Sequence, residues 1–180
     1  MDTLDWYDVV FEVIDMRSFS NLWYWIALAV LWSTASHWVI GVPYDMVQRA
    51  RRRGGQAERD LEDMVRINVN RLLHIGEVAG AWLLASVSAF VSALAVLGFW
   101  YGVEFAQALF FFALPMAVVG GLSMNTARRI GTERIRGEVL RRRLGRHRML
   151  VQAIGMVSVF VTAMWGMYQN LALGPLGRGF

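Results

Sequence analysis

The stretch Val78–Leu97, VAGAWLLASVSAFVSALAVL, runs for 20 residues without a charge. About 20 predominantly apolar residues in helical form cross roughly 30 Å of hydrocarbon. Lipid offers no partner to backbone N–H and C=O groups, so a run of this kind must satisfy them internally, as a helix. A barrel strand would instead alternate polar and apolar residues over about ten positions. Working outward, three more segments have the same character. Leu22–Val42 and Met149–Leu173 carry no Asp, Glu, Lys or Arg, and Phe105–Ala127 is interrupted only by Pro115 and the Gly120-Gly121 pair. The expected fold is therefore all-α, an integral membrane four-helix bundle in which residues 1–180 form one membrane domain. The spans are 22–42, 78–97, 105–127 and 149–173.

Composition agrees. Apolar residues make up 56% of the chain and charged residues 18%, the latter below the roughly 25% of soluble domains. Such a chain is too apolar for intrinsic disorder. It has no Cys, which excludes a disulfide scaffold, a thiolate zinc site and a Cys-ligated iron–sulfur cluster.

All 18 basic residues are Arg. Seven lie in the connection 43–77 and nine in 128–148; the remaining two, Arg17 and Arg178, are in the tails. Basic residues concentrate in cytoplasmic loops, so both long connections are expected in the cytoplasm and both termini outside. The start of the chain is acidic, with Asp5, Asp8, Glu12 and Asp15 on one helical face opposite Trp6, Val9, Val10, Val13 and Ile14. That pattern predicts an amphipathic helix over 3–17, lying at the periplasmic interface, and it differs from the basic start of a cleavable signal. Trp23, Tyr24, Trp25, Trp100, Tyr101, Trp165 and Tyr168 fall at the outer ends of the spans and Trp38 and Trp82 near the inner boundary, as interfacial belts do.

The two arginine-rich connections are themselves helical in pattern. Met46–Arg53 reads as an extension of the first span past the membrane, ending at Gly54-Gly55. Beyond it, Leu61, Met64, Val65, Val69, Leu72 and Leu73 are spaced for a helix face, and no breaker separates them from the second span. One helix from about Gln56 to Leu97 follows. Ile130, Ile135, Val139, Leu140 and Leu144 give the other connection a similar face. The picture is two long helical hairpins reaching into the cytoplasm. Small residues mark close packing: Gly76 with Gly80, the row Ala81, Ala85, Ala89 and Ala93, and Ala117 with Gly121. Such rows bring helices together within one chain or between the copies of a homo-oligomer.

Candidate chemistry is sparse. His37, His74 and His147 all fall near the inner boundary. Converging on one site they would suit a b-type haem or a metal; apart, they are interfacial polar groups. Glu77 and Glu104 flank spans, so the midplane lacks the ionisable groups expected of a transporter or proton relay. No nucleophile elbow, zinc-binding helix motif or phosphate loop occurs, so no catalytic residue is assigned and no cofactor or metal is expected. The arginines Arg49, Arg51, Arg52, Arg53, Arg128, Arg129, Arg141, Arg142 and Arg143 are candidates for docking anionic lipid or an acidic cytoplasmic protein. No aromatics are interleaved among them for stacking bases, which argues against nucleic acid.

The runs Phe11–Trp23 (FEVIDMRSFSNLW), Trp32–His37 (WSTASH), Gly41–Met46 (GVPYDM) and Arg66–Leu72 (RINVNRL) resemble a small family of alphaproteobacterial, Rhodobacter-like membrane proteins known as "component of SufBCD complex". The resemblance implies residence in a bacterial inner membrane and partnership with an iron–sulfur assembly scaffold. It carries no catalytic residue onto this chain. Together these features predict a non-enzymatic accessory or scaffold protein. A haem-binding redox protein and a small oligomeric transporter are the alternatives.

Overall fold

The computed structural model describes residue 19 and residues 21–173. The amphipathic helix expected over 3–17 and the tail holding Arg178 lie outside the described residues. Within them the chain is almost entirely helical. The elements are α1 (Leu22–His37), a two-stranded hairpin of β1 (Trp38–Val39) and β2 (Val42–Pro43), α2 (Tyr44–Arg53), α3 (Gly55–Ala95), α4 (Glu104–Glu133) and α5 (Gly137–Leu173).

Three helices are long and apolar enough to cross a membrane: Gly55–Trp100, Glu104–Glu133 and Gly137–Gln169. α3 is one uninterrupted helix of 41 residues, as the absence of a breaker after Gln56 predicts. It ends in a single π turn, Val96–Trp100. Pro115 sits inside α4 without ending it. A proline is tolerated within a membrane helix when neighbouring groups take up the freed carbonyl.

The first predicted span is corrected. α1 begins at Leu22, capped by the Asn21 side chain, which accepts from the Trp23 N–H at 3.0 Å. It stops at His37 after 16 residues, about 24 Å at 1.5 Å per residue. Residues 38–43 then leave the helix, pairing Trp38 with Pro43 and Val39 with Val42. The reason is local. Val39, Ile40 and Val42 are β-branched, which suits a strand, and Pro43 cannot donate within a helix. Ile40 and Gly41 have φ of 54° and 72°, the pattern of a tight two-residue hairpin turn. Positive φ is costly for a β-branched residue. The Ile40 side chain is buried in the larger apolar core, which holds the residue in that conformation. Asn68 locks the turn by donating to the Gly41 carbonyl at 3.2 Å. Consequently Met46–Arg53 does not continue α1; it is the separate helix α2.

Two cores result. The larger gathers Val39, Ile40 and Val42 of the hairpin, Val47 and Ala50 of α2, Leu61, Val65 and Val69 of α3, Ala127 and Ile130 of α4, and Leu140 and Leu144 of α5. The two arginine-rich connections are thus one packed unit, here called the head. The smaller core, Leu28, Trp32, Val119 and Val151, joins α1 to α4 and α5. Elsewhere α3 packs on α4, α4 on α5, and α5 on α1.

The head is tied at the turn between α4 and α5. Arg134 ends α4 with a left-handed φ of 48° and Gly137 opens α5 at φ 59°. The Glu62 carboxylate accepts the Gly137 N–H at 2.8 Å, and Glu58 pairs with Arg141 one turn on. Both acids face the N-terminus of α5, where unpaired N–H groups and the helix dipole favour negative charge. Glu62→Ala should destabilise the head by about 1 kcal/mol, as loss of a side-chain helix cap does. Faster amide exchange in residues 137–140, with the rest of α5 unchanged, is the measurement that checks it.

Candidate functional site

The expected site residues do not form one site. His147 lies on α5 and is 3% exposed. Its Nε2 is 3.4 Å from the Ser123 hydroxyl and its Nδ1 is 3.2 Å from the Thr126 hydroxyl, both on α4. Those hydroxyls also reach carbonyls one turn back, at Val119 and Leu122. A hydroxyl has one proton, so the two share donor and acceptor duties around the ring. Both ring nitrogens are engaged in joining α4 to α5. His37 and His74 are exposed, on α1 and α3 respectively, and His37 meets Trp38 edge-to-face at 6.0 Å. Among the described residues, no group of three His, Cys, Asp or Glu side chains is placed to hold a metal.

The small-residue row is also placed differently from a packed seam. Ala81, Ala85, Ala89 and Ala93 are all exposed. A Cβ added at Gly80 or Gly121 would meet nothing within 4 Å, and Ala117 is half-buried. Of that set, Gly76 makes a close approach, with Met124 3.1 Å from where its Cβ would stand. The tightest approaches occur at glycines outside the row. A Cβ at Gly98 would lie 2.9 Å from the Gln107 backbone nitrogen, and one at Gly155 2.7 Å from the Trp32 ring.

The arginines divide into two groups. Arg49 pairs with Asp45, Arg141 with Glu58, Arg142 with Glu138 and Arg143 with Glu133. Arg51, Arg52, Arg53, Arg128 and Arg129 are exposed and make no ion pair among the described residues. Connections 43–77 and 128–148 together hold sixteen arginines against eight carboxylates. That excess is uneven. Glu58, Asp60, Glu62 and Asp63 all lie on the N-terminal part of α3, whereas α2 has Asp45 alone.

Two grooves carry the excess, and one of them, of about 450 Å³, sets Arg59, Arg66, Arg134 and Arg136 around Glu62 and Asp63. The other, of about 730 Å³ between α2 and α5, is lined by Arg51, Arg52, Arg141 and Arg142, with Tyr44, Val47, Gln48 and Glu138. α2 places Arg51 and Arg52 there because Ala50 turns the other face into the head core, while Val47, one turn before Arg51, belongs to the groove's apolar floor. α5 places Arg141 and Arg142 because Leu140 and Leu144 bury its own. Four guanidiniums, two of them already neutralised by carboxylates, leave a net basic wall over a partly apolar floor. Its lining sets the guanidiniums of Arg51 and Arg52, unpaired among the described residues, beside the Tyr44 and Val47 side chains. At its membrane-ward end, Arg148 stacks on the Tyr44 ring at 3.9 Å and donates from Nε to the Ser36 carbonyl at 3.2 Å.

A second polar centre sits at the opposite end of the helices. Gln107 is 4% exposed. Its Nε2 donates to the Gly98 carbonyl at 2.7 Å, and its Oε1 accepts from Trp165 Nε1 at 2.9 Å and Gln169 Nε2 at 2.6 Å. Sequence reasoning places Gln107 and Gln169 merely near span ends. Their signal is shared depth, since α4 and α5 run antiparallel and bring the start of one to the end of the other. Trp165 and Tyr24, expected in interfacial belts, are partly internal. Tyr24 donates to the Ala108 carbonyl at 3.4 Å and packs on Phe112. Trp23, Trp82, Trp100 and Tyr101 remain exposed as a belt requires.

No family model, curated protein or solved structure matches the chain.

Proposed function

We propose that this chain is a non-enzymatic accessory protein of the bacterial inner membrane, which holds an acidic cytoplasmic protein through the groove between α2 and α5. The observation that carries it is the position of Arg51, Arg52 and Arg53. They cap α2 beside Gly54, at the tip of the head. From Gly55 to Glu77, where the charged part of α3 ends, is about 33 Å of helix at 1.5 Å per residue. The Debye length in physiological salt is about 8 Å. Charges at the tip are therefore screened from a lipid surface level with Glu77, and their counterpart is a protein. Arg128 and Arg129 directly follow the apolar run of α4 and suit anionic headgroups instead.

In this reading the head is cytoplasmic and both termini are periplasmic, because sixteen of 18 arginines lie in the head connections. α1 acts as a fourth crossing. It starts beside α4's first turn, where the Phe19 N–H donates to Glu104 at 3.0 Å, and it ends where Arg148 meets Ser36. The helix is a few ångströms short of the hydrocarbon thickness, which bilayer thinning accommodates at modest cost. The resemblance to the "component of SufBCD complex" proteins would make an iron–sulfur assembly scaffold a candidate for that partner. Without cysteine the chain would position that machinery and carry no cluster itself.

The test is crosslinking in native membranes followed by identification of the joined chain. Arg51→Glu with Arg52→Glu should lower recovery of the partner at least tenfold, as reversing steering charges slows association by an order of magnitude or more. Arg128→Gln with Arg129→Gln should leave recovery intact. Equal recovery from the tip variant and the parent chain would refute the docking role.

A further inference from the structure

Two cavities meet on the other side of Arg148, away from the arginine groove. The first is a lateral groove of about 560 Å³ between α1 and α5, with Trp32 and Gly155 at one end and Val159, Phe160 and Ala163 at the other. Gly155 lets the Trp32 ring lie directly against α5, since a Cβ there would come within 2.7 Å of it. The second is a polar pocket of about 460 Å³ lined by Ser33, Thr34, Ser36, His37, Trp38 and Arg148. Ser36 belongs to both linings, so the polar pocket and the apolar groove adjoin there.

We infer that this composite site holds one membrane phospholipid, with its phosphate at Arg148 and an acyl chain along the Trp32–Ala163 groove. The inference is independent of the acidic partner. Three observations support it. The Arg148 guanidinium is held in place, by Nε on the Ser36 carbonyl and by the Tyr44 ring beneath it, and its two terminal nitrogens have no partner among the described residues. A fixed guanidinium fork with free N–H groups is the arrangement that takes a phosphate bidentately. The C-terminus of α1 would ordinarily repel an anion, but the Thr34 carbonyl is already taken by the Trp38 N–H and the Ser36 carbonyl by Arg148. The hydroxyls of Ser33, Thr34 and Ser36 and the His37 ring supply further donors.

Length supplies the third. From Gln152 to Ala163 the groove follows α5 for eleven residues, about 16 Å at 1.5 Å per residue. One leaflet of a bilayer is about 15 Å of hydrocarbon. The polar pocket lies at the head end of α1 and the apolar end points toward the middle of the spans, so the polarity runs in the direction a phospholipid of the head-side leaflet requires. Met156 and Phe160 are exposed at 69% and 66%, forming an open flank through which a chain enters sideways from the bilayer.

The test is native mass spectrometry of the full chain in mild detergent, titrated with dioleoyl phosphatidylglycerol, dioleoylglycerol and decylubiquinone. One phosphatidylglycerol should bind, at least tenfold tighter than dioleoylglycerol, which lacks the phosphate. Arg148→Gln should erase that preference. Ala163→Trp, a substitution on an exposed position that fills the apolar end without touching the polar pocket, should reduce phosphatidylglycerol binding by a similar factor while helicity stays unchanged. Equal binding of phosphatidylglycerol and dioleoylglycerol, equal binding by the parent chain and Ala163→Trp, or preferential binding of decylubiquinone would each overturn the assignment.

Discussion

Replacing Leu144 with Ala should open the head while leaving the apolar helices in place. Leu144 is fully buried, where α2, α3, α4 and α5 meet. Truncating a buried Leu removes its transfer free energy and leaves a cavity, together about 2–5 kcal/mol. The head is a small unit whose apolar centre comprises a dozen buried residues, so that loss is a large share of whatever holds it closed. Trypsin reports the outcome directly, because Arg51, Arg52, Arg53, Arg141, Arg142 and Arg143 are all cleavage positions. When cleavage follows the open population, 2 kcal/mol raises its rate by roughly 30-fold. Cleavage should rise at arginines of α2 and the start of α5. Trypsin has no site within Val78–Leu97, so an unchanged far-UV helical signal is the readout that the apolar helices stay in place. Unchanged cleavage would mean that the two connections are not packed on one another.

Replacing Gln107 with Leu is the second large change. Leu nearly matches the volume of Gln, so packing is largely kept and the cost comes from polarity. Three groups lose their partner at once: the Gly98 carbonyl, the Trp165 indole N–H and the Gln169 amide. One buried polar group left unsatisfied costs about 1–3 kcal/mol, and hydrogen bonds between membrane helices measure about 0.6 kcal/mol on average, with a maximum near 1.7. Because the three share one side chain their losses do not add, and about 2 kcal/mol is expected. A thermal unfolding midpoint lower by several degrees in detergent is the expected readout, with the loss seen in tryptophan emission. Midpoints within 1 °C of each other would show that the three groups find other partners and that Gln107 is dispensable.

Much of the architecture is readable from residue spacing, and the unread parts share one cause. α3 is legible because nothing between Gln56 and Leu97 breaks a helix. Leu61, Val65 and Val69 are recognisable as one face, and they are buried together. Spacing does not say what covers such a face. Lipid, a partner or the other connection would all produce the same pattern, and here the cover is α2, α4 and α5. The hairpin at 38–43 was hidden for a different reason. Trp38–Val42 is as apolar as the span before it, so hydropathy runs through a change of conformation that only β-branching and Pro43 betray. The arginine asymmetry was legible as a tally. The division into paired and unpaired guanidiniums was not, because Glu58 and Arg141 are 83 positions apart. The same long-range closure hid the Gln107 centre, and it set His147 against Ser123 and Thr126 instead of the other histidines.

The unbroken α3 has a mechanical consequence. A head joined to its membrane segments by a flexible linker would let its cargo wander through a volume. Here the residue after Gly54 and the apolar residues up to Ala95 belong to one rod, packed against α4. Cargo seated at the tip would be held at one standoff and one orientation relative to the bilayer. On the proposed reading, the chain would then act as a gauge that fixes a distance. Inserting a Gly-Ser pair near His74 would turn the two parts of α3 by about 200° against each other, and that calibration would be lost together with the close approaches of Leu73 to Gly131 and of Gly76 to Met124.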